Sequence, residues 1–124
     1  MKSSYFKWLI FACATITPIA IFAQVSCTRG GLQNAVDLYI EAQTSGDISA
    51  LPLPGGAGYW ENEERMDINE GLINTAQNID YHFSLFDEDS CQSFTEVIVT
   101  DEDKPYVLGT RMRVNHDKIA EIEI

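Results

Sequence analysis

His82 is the residue of this sequence that is best suited to proton transfer. Imidazole titrates near neutral pH, so a histidine can both accept and donate a proton. Asp80 and Ser84 flank it at two-residue spacing, which places the three side chains on one side of an extended strand. Asp80 would then orient the imidazole. The alternative is that His82 lies on a solvated convex face, because its companions on that side are polar.

Glu61 and Asn62 form a second candidate site, directly after Tyr59 and Trp60. A carboxyl group beside aromatic rings loses hydration, which favours its protonated form and suits it to general-acid catalysis. The alternative is structural, with Glu61 paired to an arginine across the sheet and Asn62 capping the turn that follows. Tyr59 and Trp60, together with Tyr106, either line a ligand cavity or belong to the core.

Arg111 is the third candidate, because its guanidinium could hold an anionic ligand or activate an epoxide oxygen. Arg111 and Arg113 are also the two cations that could pair with Glu61 across a sheet. Both interpretations need the structure to decide which face of the sheet each side chain occupies.

The sequence predicts neither a metal site nor a cofactor. His82 and His116 are too far apart to form a local metal motif, and the cysteines have no nearby partner ligands. The acidic segments 87–89 and 101–103 lack the glycine and the closing glutamate of a calcium loop. Residues 55–58 are rich in glycine, but no strand precedes them and no helix follows, as a phosphate-binding loop requires.

The first 23 residues have the layout of a secretory signal peptide. Lys2 and Lys7 precede an apolar stretch, Trp8 to Ala23, which ends in small residues. The stretch is short for a membrane span and contains two threonines and a proline. A lipoprotein anchored at Cys27 is the other alternative, and Gln24 before it fits that motif poorly. We therefore expect residues 1–23 to be removed, and residues 24–124 to form one secreted domain.

The mature chain would be strongly acidic. Without Lys2 and Lys7 it keeps six basic and nineteen acidic side chains, a formal charge of −13. Such a charge repels nucleic acids and anionic membranes, so we expect neither as a partner. Export also removes Cys13 and leaves Cys27 and Cys91, which predicts one disulfide in an oxidising compartment. The alternative is two separate buried thiols.

The hydrophobic pattern changes from helical to extended along the chain. Apolar residues at helical spacing follow Thr28, a plausible N-cap, and Gly46 supplies a stop. The later segments carry strand patterns and turn-forming residues. The predicted strands are 59–63, 79–85, 91–100, 106–114 and 118–124, with a helical turn around 69–73. A helix followed by a meander of strands indicates an α+β domain.

After the helix, four short segments follow in order: Tyr59-Trp60-Glu61-Asn62, Asp67 to Leu72, Pro105 to Arg111 and Asp117 to Ile122. Their order and spacing resemble those of the nuclear transport factor 2-like superfamily, whose SnoaL-like members include small cyclases, isomerases and epoxide hydrolases. More narrowly, the chain is similar to a secreted fungal domain of that group. The resemblance implies a strongly bent antiparallel sheet, shaped like a cone around a cavity, with the N-terminal helix packed on it. It also implies that dimerisation through the outer sheet face is a common arrangement.

Two functions follow from this resemblance. The first is a cofactor-free isomerase or cyclase acting on a small apolar metabolite, with His82, Glu61 and Asp80 as catalytic groups. Tyr59, Trp60, Asn62, Tyr106 and Arg111 would then line the pocket. The epoxide hydrolases of the superfamily have an Arg-X-Asp arrangement, whereas Arg111 is followed here by Met112 and Arg113. This difference argues against epoxide opening. The second is a non-catalytic secreted domain that binds a ligand or another protein. Convergence of His82 and Glu61 on one cavity would favour the enzyme, and a position of either on the convex surface would favour binding.

Overall fold

The structure is a computed structural model that describes residues 24–100 and 103–124. The predicted signal peptide therefore lies outside the described residues. Within them, no helix combines the length and the apolar character that crossing a membrane requires.

One α-helix opens the domain, and its bounds follow from local chemistry. Helix α1 covers Arg29–Ser45. Thr28 caps its start by accepting a hydrogen bond from the Gly31 backbone N–H, which would otherwise have no partner. Gly46 ends the helix in the left-handed region, with φ at 71°. A Cβ there would also lie 2.8 Å from the Ala76 nitrogen, so both the backbone conformation and the lack of space favour glycine at this position.

In the part of the chain that the structure describes, six strands form a single sheet. They are β1 (Gly58–Glu61), β2 (Glu64–Arg65), β3 (Ile79–Asp87), β4 (Gln92–Val99), β5 (Tyr106–Asn115) and β6 (Lys118–Glu123). Their spatial order is β2-β1-β6-β5-β4-β3, and two 3-10 turns, Ile68–Glu70 and Leu72–Asn74, precede β3. The predicted α+β class is confirmed, but the sheet is mixed and not wholly antiparallel, because β1 pairs with β6 in parallel. β1 and β6 are neighbours in the sheet but not in sequence, because β2, β3, β4 and β5 lie between them along the chain.

The two faces of the sheet differ in burial. We call the face that packs under α1 the inner face; it carries Ser93, Thr95, Val97 and Val99 of β4 and Leu108, Thr110, Met112 and Val114 of β5, all buried. The opposite surface is the outer face. Directly opposed residues share a face, so the register assigns the paired side chains of β3 and β6 to one side or the other.

A disulfide joins Cys27 to Cys91, as predicted, across a sequence separation of 64 residues. Cys27 lies just before α1, and Cys91 ends the turn between β3 and β4. The bond therefore connects the start of the helix to the β3–β4 hairpin. Apolar contacts support the same junction, since Cys91 packs against the core cluster that includes Leu32 and Ala35.

Candidate functional site

Glu61 is held inside the fold by two hydrogen bonds to one oxygen. Its Oε1 accepts from the Tyr59 hydroxyl and from the Leu72 backbone N–H, which opens the second 3-10 turn. Tyr59 is fully buried, and Gly71 allows its ring to lie close, since a Cβ there would fall 2.3 Å from the ring. The Glu61 carboxylate therefore anchors the turn on strand β1, and no arginine contacts it among the described residues.

A small hollow opens beside Glu61. Its volume is about 170 Å³. The lining residues are Glu61, Asn62, Leu72, Val107, Leu108, Gly109 and Ile124. Cavities that enclose a drug-sized ligand usually span about 300–1,000 Å³. The hollow therefore has room for a group about the size of benzene, which fits an apolar cavity of about 150 Å³, and not for a drug-sized ligand.

His82 shares the inner face with Glu61 but not its surroundings. It pairs with Val97 of β4, and Val97 pairs with Leu108 of β5, which lines the hollow. Two strand spacings of about 4.8 Å therefore separate the backbones of His82 and Leu108, roughly 10 Å along the sheet. His82 is exposed at the edge strand. The structure does not bring His82 and Glu61 together in one cavity.

Asp80 lies at an irregularity in strand β3. The register with β4 shifts between Ile79 and Tyr81, so Asp80 has no directly opposed residue. Among the described residues, no hydrogen bond joins Asp80 to His82, and both side chains are exposed. The predicted orientation of the imidazole by Asp80 has no contact to support it.

The other predicted pocket residues are distributed over both faces. Trp60 and Arg111 lie on the outer face in one row with Glu123, where the Arg65 guanidinium lies 5.8 Å from the centre of the Trp60 ring. Tyr106 lies on the inner side, and its hydroxyl donates to Gln77. These three predicted residues therefore do not converge on one cavity.

Asn62 occupies the tight turn between β1 and β2. Its φ is 50° and that of Glu63 is 70°, so both residues adopt the left-handed conformation that two-residue hairpins need. Asn62 also donates its backbone N–H to the Ile124 carbonyl. The predicted capping of the 68–74 segment comes from other residues, namely Asp67 and Glu61.

A buried polar network that the sequence did not predict lies between α1 and the inner face. The Tyr39 hydroxyl is 2.6 Å from Thr110 Oγ1, and Gln43 Nε2 donates to the same hydroxyl at 2.9 Å. All three side chains are fully buried. The four-residue spacing of Tyr39 and Gln43 on the buried helix face was an available signal, but Thr110 lies 71 positions away. The network fixes α1 on strand β5.

This network predicts a specific loss of stability at alkaline pH. Burial raises the pKa of Tyr39 to about 12, whereas an exposed tyrosine ionises near 10. As the pH rises, the unfolded chain therefore releases this proton first. The contribution of Tyr39 to the free energy of unfolding is fully present below pH 10 and falls between about pH 10 and 12, by at most about 1.4 kcal/mol per pH unit. Burial and Glu61 also raise the pKa of Tyr59, which acts in the same direction.

Tyr39→Phe tests the assignment by urea unfolding at several pH values. At pH 8 the variant should lose about 1–2 kcal/mol, because Thr110 and Gln43 lose a partner. Between pH 10 and 12 its stability should fall less steeply than that of the wild type. An unchanged slope would show that Tyr39 does not account for the alkaline loss.

The outer face carries the largest exposed apolar side chains of the described chain. They are Tyr81, Phe83 and Leu85 on β3, Phe94 on β4 and Val107 on β5, each 49–58% exposed. The register places them in adjacent rows: Tyr81 with Ile98 and Val107, Phe83 with Glu96, and Leu85 with Phe94. We call these five residues the apolar patch.

Ion pairs continue the outer face beyond the apolar patch. Arg111 donates to Glu123 through Nε at 2.9 Å and Nη2 at 2.7 Å, and Arg113 Nε donates to Glu121 at 2.9 Å. The hydrogen bonds from Arg113 hold the pKa of Glu121 below its ordinary value. A shallow hollow of about 210 Å³, lined in part by Leu85, Phe94 and Arg111, lies where the two regions meet. Both arginines are thus occupied by glutamates of β6.

No protein family, curated protein or solved structure matches this chain.

Proposed function

We propose that this chain is an exported, non-catalytic interaction domain that binds protein through the outer face of its sheet. The observation that carries the proposal is the apolar patch, five large side chains about half exposed on one face. With side-chain areas of about 150–250 Å² for aromatic residues, the patch exposes on the order of 500 Å². The largest apolar patch of a typical monomer is about 300–600 Å² and often functional, so this one is at the upper end.

Charge supports the same surface. The register places three arginines, Arg65, Arg111 and Arg113, on the outer face against four carboxylates. The carboxylates are those of Asp87, Glu96, Glu121 and Glu123. These seven side chains sum to a formal charge of −1, in a mature chain of −13. A second copy can approach this face with little repulsion, whereas the rest of the molecule would repel it.

We propose a second copy of the chain as the partner of this face. A stable interface buries about 800 Å² on each partner. The apolar patch supplies more than half of that area, and the neighbouring rows of ion pairs supply a polar rim. The proposed relation to the nuclear transport factor 2-like superfamily, with its cone-shaped sheet, is consistent with dimers of this kind.

The experiment is sedimentation of the mature chain over a range of concentrations. The wild type should form a dimer, and Phe94→Asp combined with Val107→Asp should leave a monomer. Thr44→Asp combined with Ser49→Asp is the matched control, because it adds the same charge at exposed positions away from the sheet. A monomeric wild type, or equal weakening by both double variants, would contradict the proposal.

The isomerase or cyclase stays a prediction. His82 and Glu61 do not line one cavity, so the arrangement that would favour the enzyme is missing, although His82 lies on the inner face and not on the convex one. The feature that would support catalysis is the hollow beside Glu61, and its small volume restricts the substrates it could hold.

A further inference from the structure

We infer that strand β3 accepts an extended peptide with basic ends as a seventh strand of the sheet. β3 is the last strand of the order β2-β1-β6-β5-β4-β3, and it is nine residues long. Every second residue of an edge strand directs its N–H and C=O away from the sheet, and these groups can pair with an added strand. The backbone of β3 can therefore bind a peptide at the edge of the sheet, in addition to the face-to-face contact of the proposed dimer.

The edge lacks most of the features that usually prevent such pairing. Proteins protect edge strands with lysine, proline, a bulge or short length. From 79 to 87 the chain has no lysine, arginine or proline, and its one irregularity lies at the start, at Asp80. Residues Tyr81 to Asp87 pair regularly with β4, and no strand of the described residues pairs with their other edge. A partner strand would find seven residues in uninterrupted extended conformation.

Side chains on β3 would contact alternate residues of the added strand. Tyr81, Phe83 and Leu85 project from the outer face, 53–58% exposed. His82 and Ser84 project from the inner face with Phe86. Cross-strand neighbours contribute to pairing when both are apolar or β-branched. The peptide should therefore carry β-branched apolar residues at every second position, aligned with the Tyr81–Phe83–Leu85 row.

Charge selects a basic peptide and disfavours a second copy of β3. Asp80 lies at one end of the strand, residues 87–89 are all acidic at the other end, and Glu96 pairs with Phe83. If two β3 strands paired antiparallel about Phe83, Asp87 of one copy would pair with Ile79 of the other, directly beside its Asp80. Repulsion opposes that arrangement. Arg29 is a cation close to β3, but it stacks on Phe86 at 5.2 Å on the inner face, on the opposite side from the Tyr81–Phe83–Leu85 row.

The test uses a defined peptide, Lys-Arg-Val-Thr-Val-Thr-Val-Arg-Lys, with both ends blocked. Binding to the ¹⁵N-labelled mature protein is followed by amide shifts and by hydrogen exchange. The expected result is protection of every second amide from Tyr81 to Asp87, because only the amides that face the edge gain a partner. A peptide with glutamate in place of the four basic residues should bind at least about tenfold more weakly, a difference that salt reduces.

A pair of matched variants separates the edge from the outer face. Phe83→Lys places a cation on the edge strand and should abolish peptide binding. Val107→Lys makes a similar apolar-to-cation change on the same face but on β5, so it should retain peptide binding even if it removes the dimer. Equal binding of the basic and acidic peptides, or protection without the two-residue alternation, would overturn the inference.

Two further results would overturn the inference that β3 accepts a basic peptide. No binding of the basic peptide at about 1 mM, well above the range of useful peptide recognition, would overturn it. So would alternating protection of β3 in the wild type alone, lost in Phe83→Lys, because a second copy would then occupy the edge. Neither result bears on whether Phe94 and Val107 mediate a face-to-face dimer.

Discussion

Replacing both Cys27 and Cys91 with serine should lower the free energy of unfolding by up to about 4 kcal/mol. The disulfide closes a loop with a sequence separation of 64 residues, so it removes many conformations from the unfolded chain. The total free energy of unfolding of a domain of this size is about 5–15 kcal/mol. The double variant should therefore be the least stable of the variants considered for this protein, and its unfolding midpoint in urea measures the loss.

The reduced wild type is the control for this experiment. Reduction breaks the same bond without changing the sequence, so the reduced protein and the double variant should unfold at nearly the same urea concentration. The slope of the transition should also rise, because an unfolded chain without the crosslink exposes more surface. A loss below about 1 kcal/mol would mean that the unfolded chain keeps Cys27 and Cys91 close without the bond.

The disulfide was predictable from the sequence because the predicted signal peptide contains Cys13, which leaves Cys27 and Cys91 as the one possible pair. The helix was predictable for a local reason, since Thr28, the apolar spacing and Gly46 all lie within 19 residues. The strand positions followed from period-two patterns, and the structure has strands in all five predicted regions. These features depend on residues close in sequence or on a choice among few alternatives.

The direction in which strand β3 faces was not predictable. Its alternation of Tyr81, Phe83 and Leu85 with polar residues is typical of a half-buried strand with the apolar side in the core. The structure places that apolar side on the outer face, because His82 and Ser84 pair with the buried Val97 and Thr95. The bulge at Asp80 shifts the register by one residue, and such a shift exchanges the two faces. Alternation alone does not specify which face the helix covers.

Long-range polar partners were also beyond the sequence. Tyr39 and Thr110 are 71 positions apart, and each residue alone is compatible with many partners. Glu61 is similar, because both arginines proposed as its partners bind glutamates of β6 instead. The outer-face position of Arg111 and Arg113 decides this, since Glu61 lies on the inner side with Tyr59.

Glu61→Ala should lower the free energy of unfolding by about 3 kcal/mol. The variant removes the acceptor of two hydrogen bonds, and each hydrogen bond to a charged group contributes about 1.5–3 kcal/mol. Partial exposure of the carboxylate reduces that sum, while the buried Tyr59 hydroxyl and the Leu72 N–H lose their shared partner. Glu88→Ala in the turn between β3 and β4 is the control, because Glu88 is exposed and lies far from Glu61 in the strand order. It should stay within about 0.5 kcal/mol of the wild type.

Glu61→Gln separates the acceptor from the charge. A glutamine keeps one carbonyl oxygen that can accept from both Tyr59 and Leu72, so it should restore most of the stability that alanine loses. Urea unfolding of the three proteins measures this order. If glutamine destabilised as much as alanine, the negative charge itself would be required. The stabilisation would then come from the charge-assisted character of the two hydrogen bonds and not from the acceptor geometry alone.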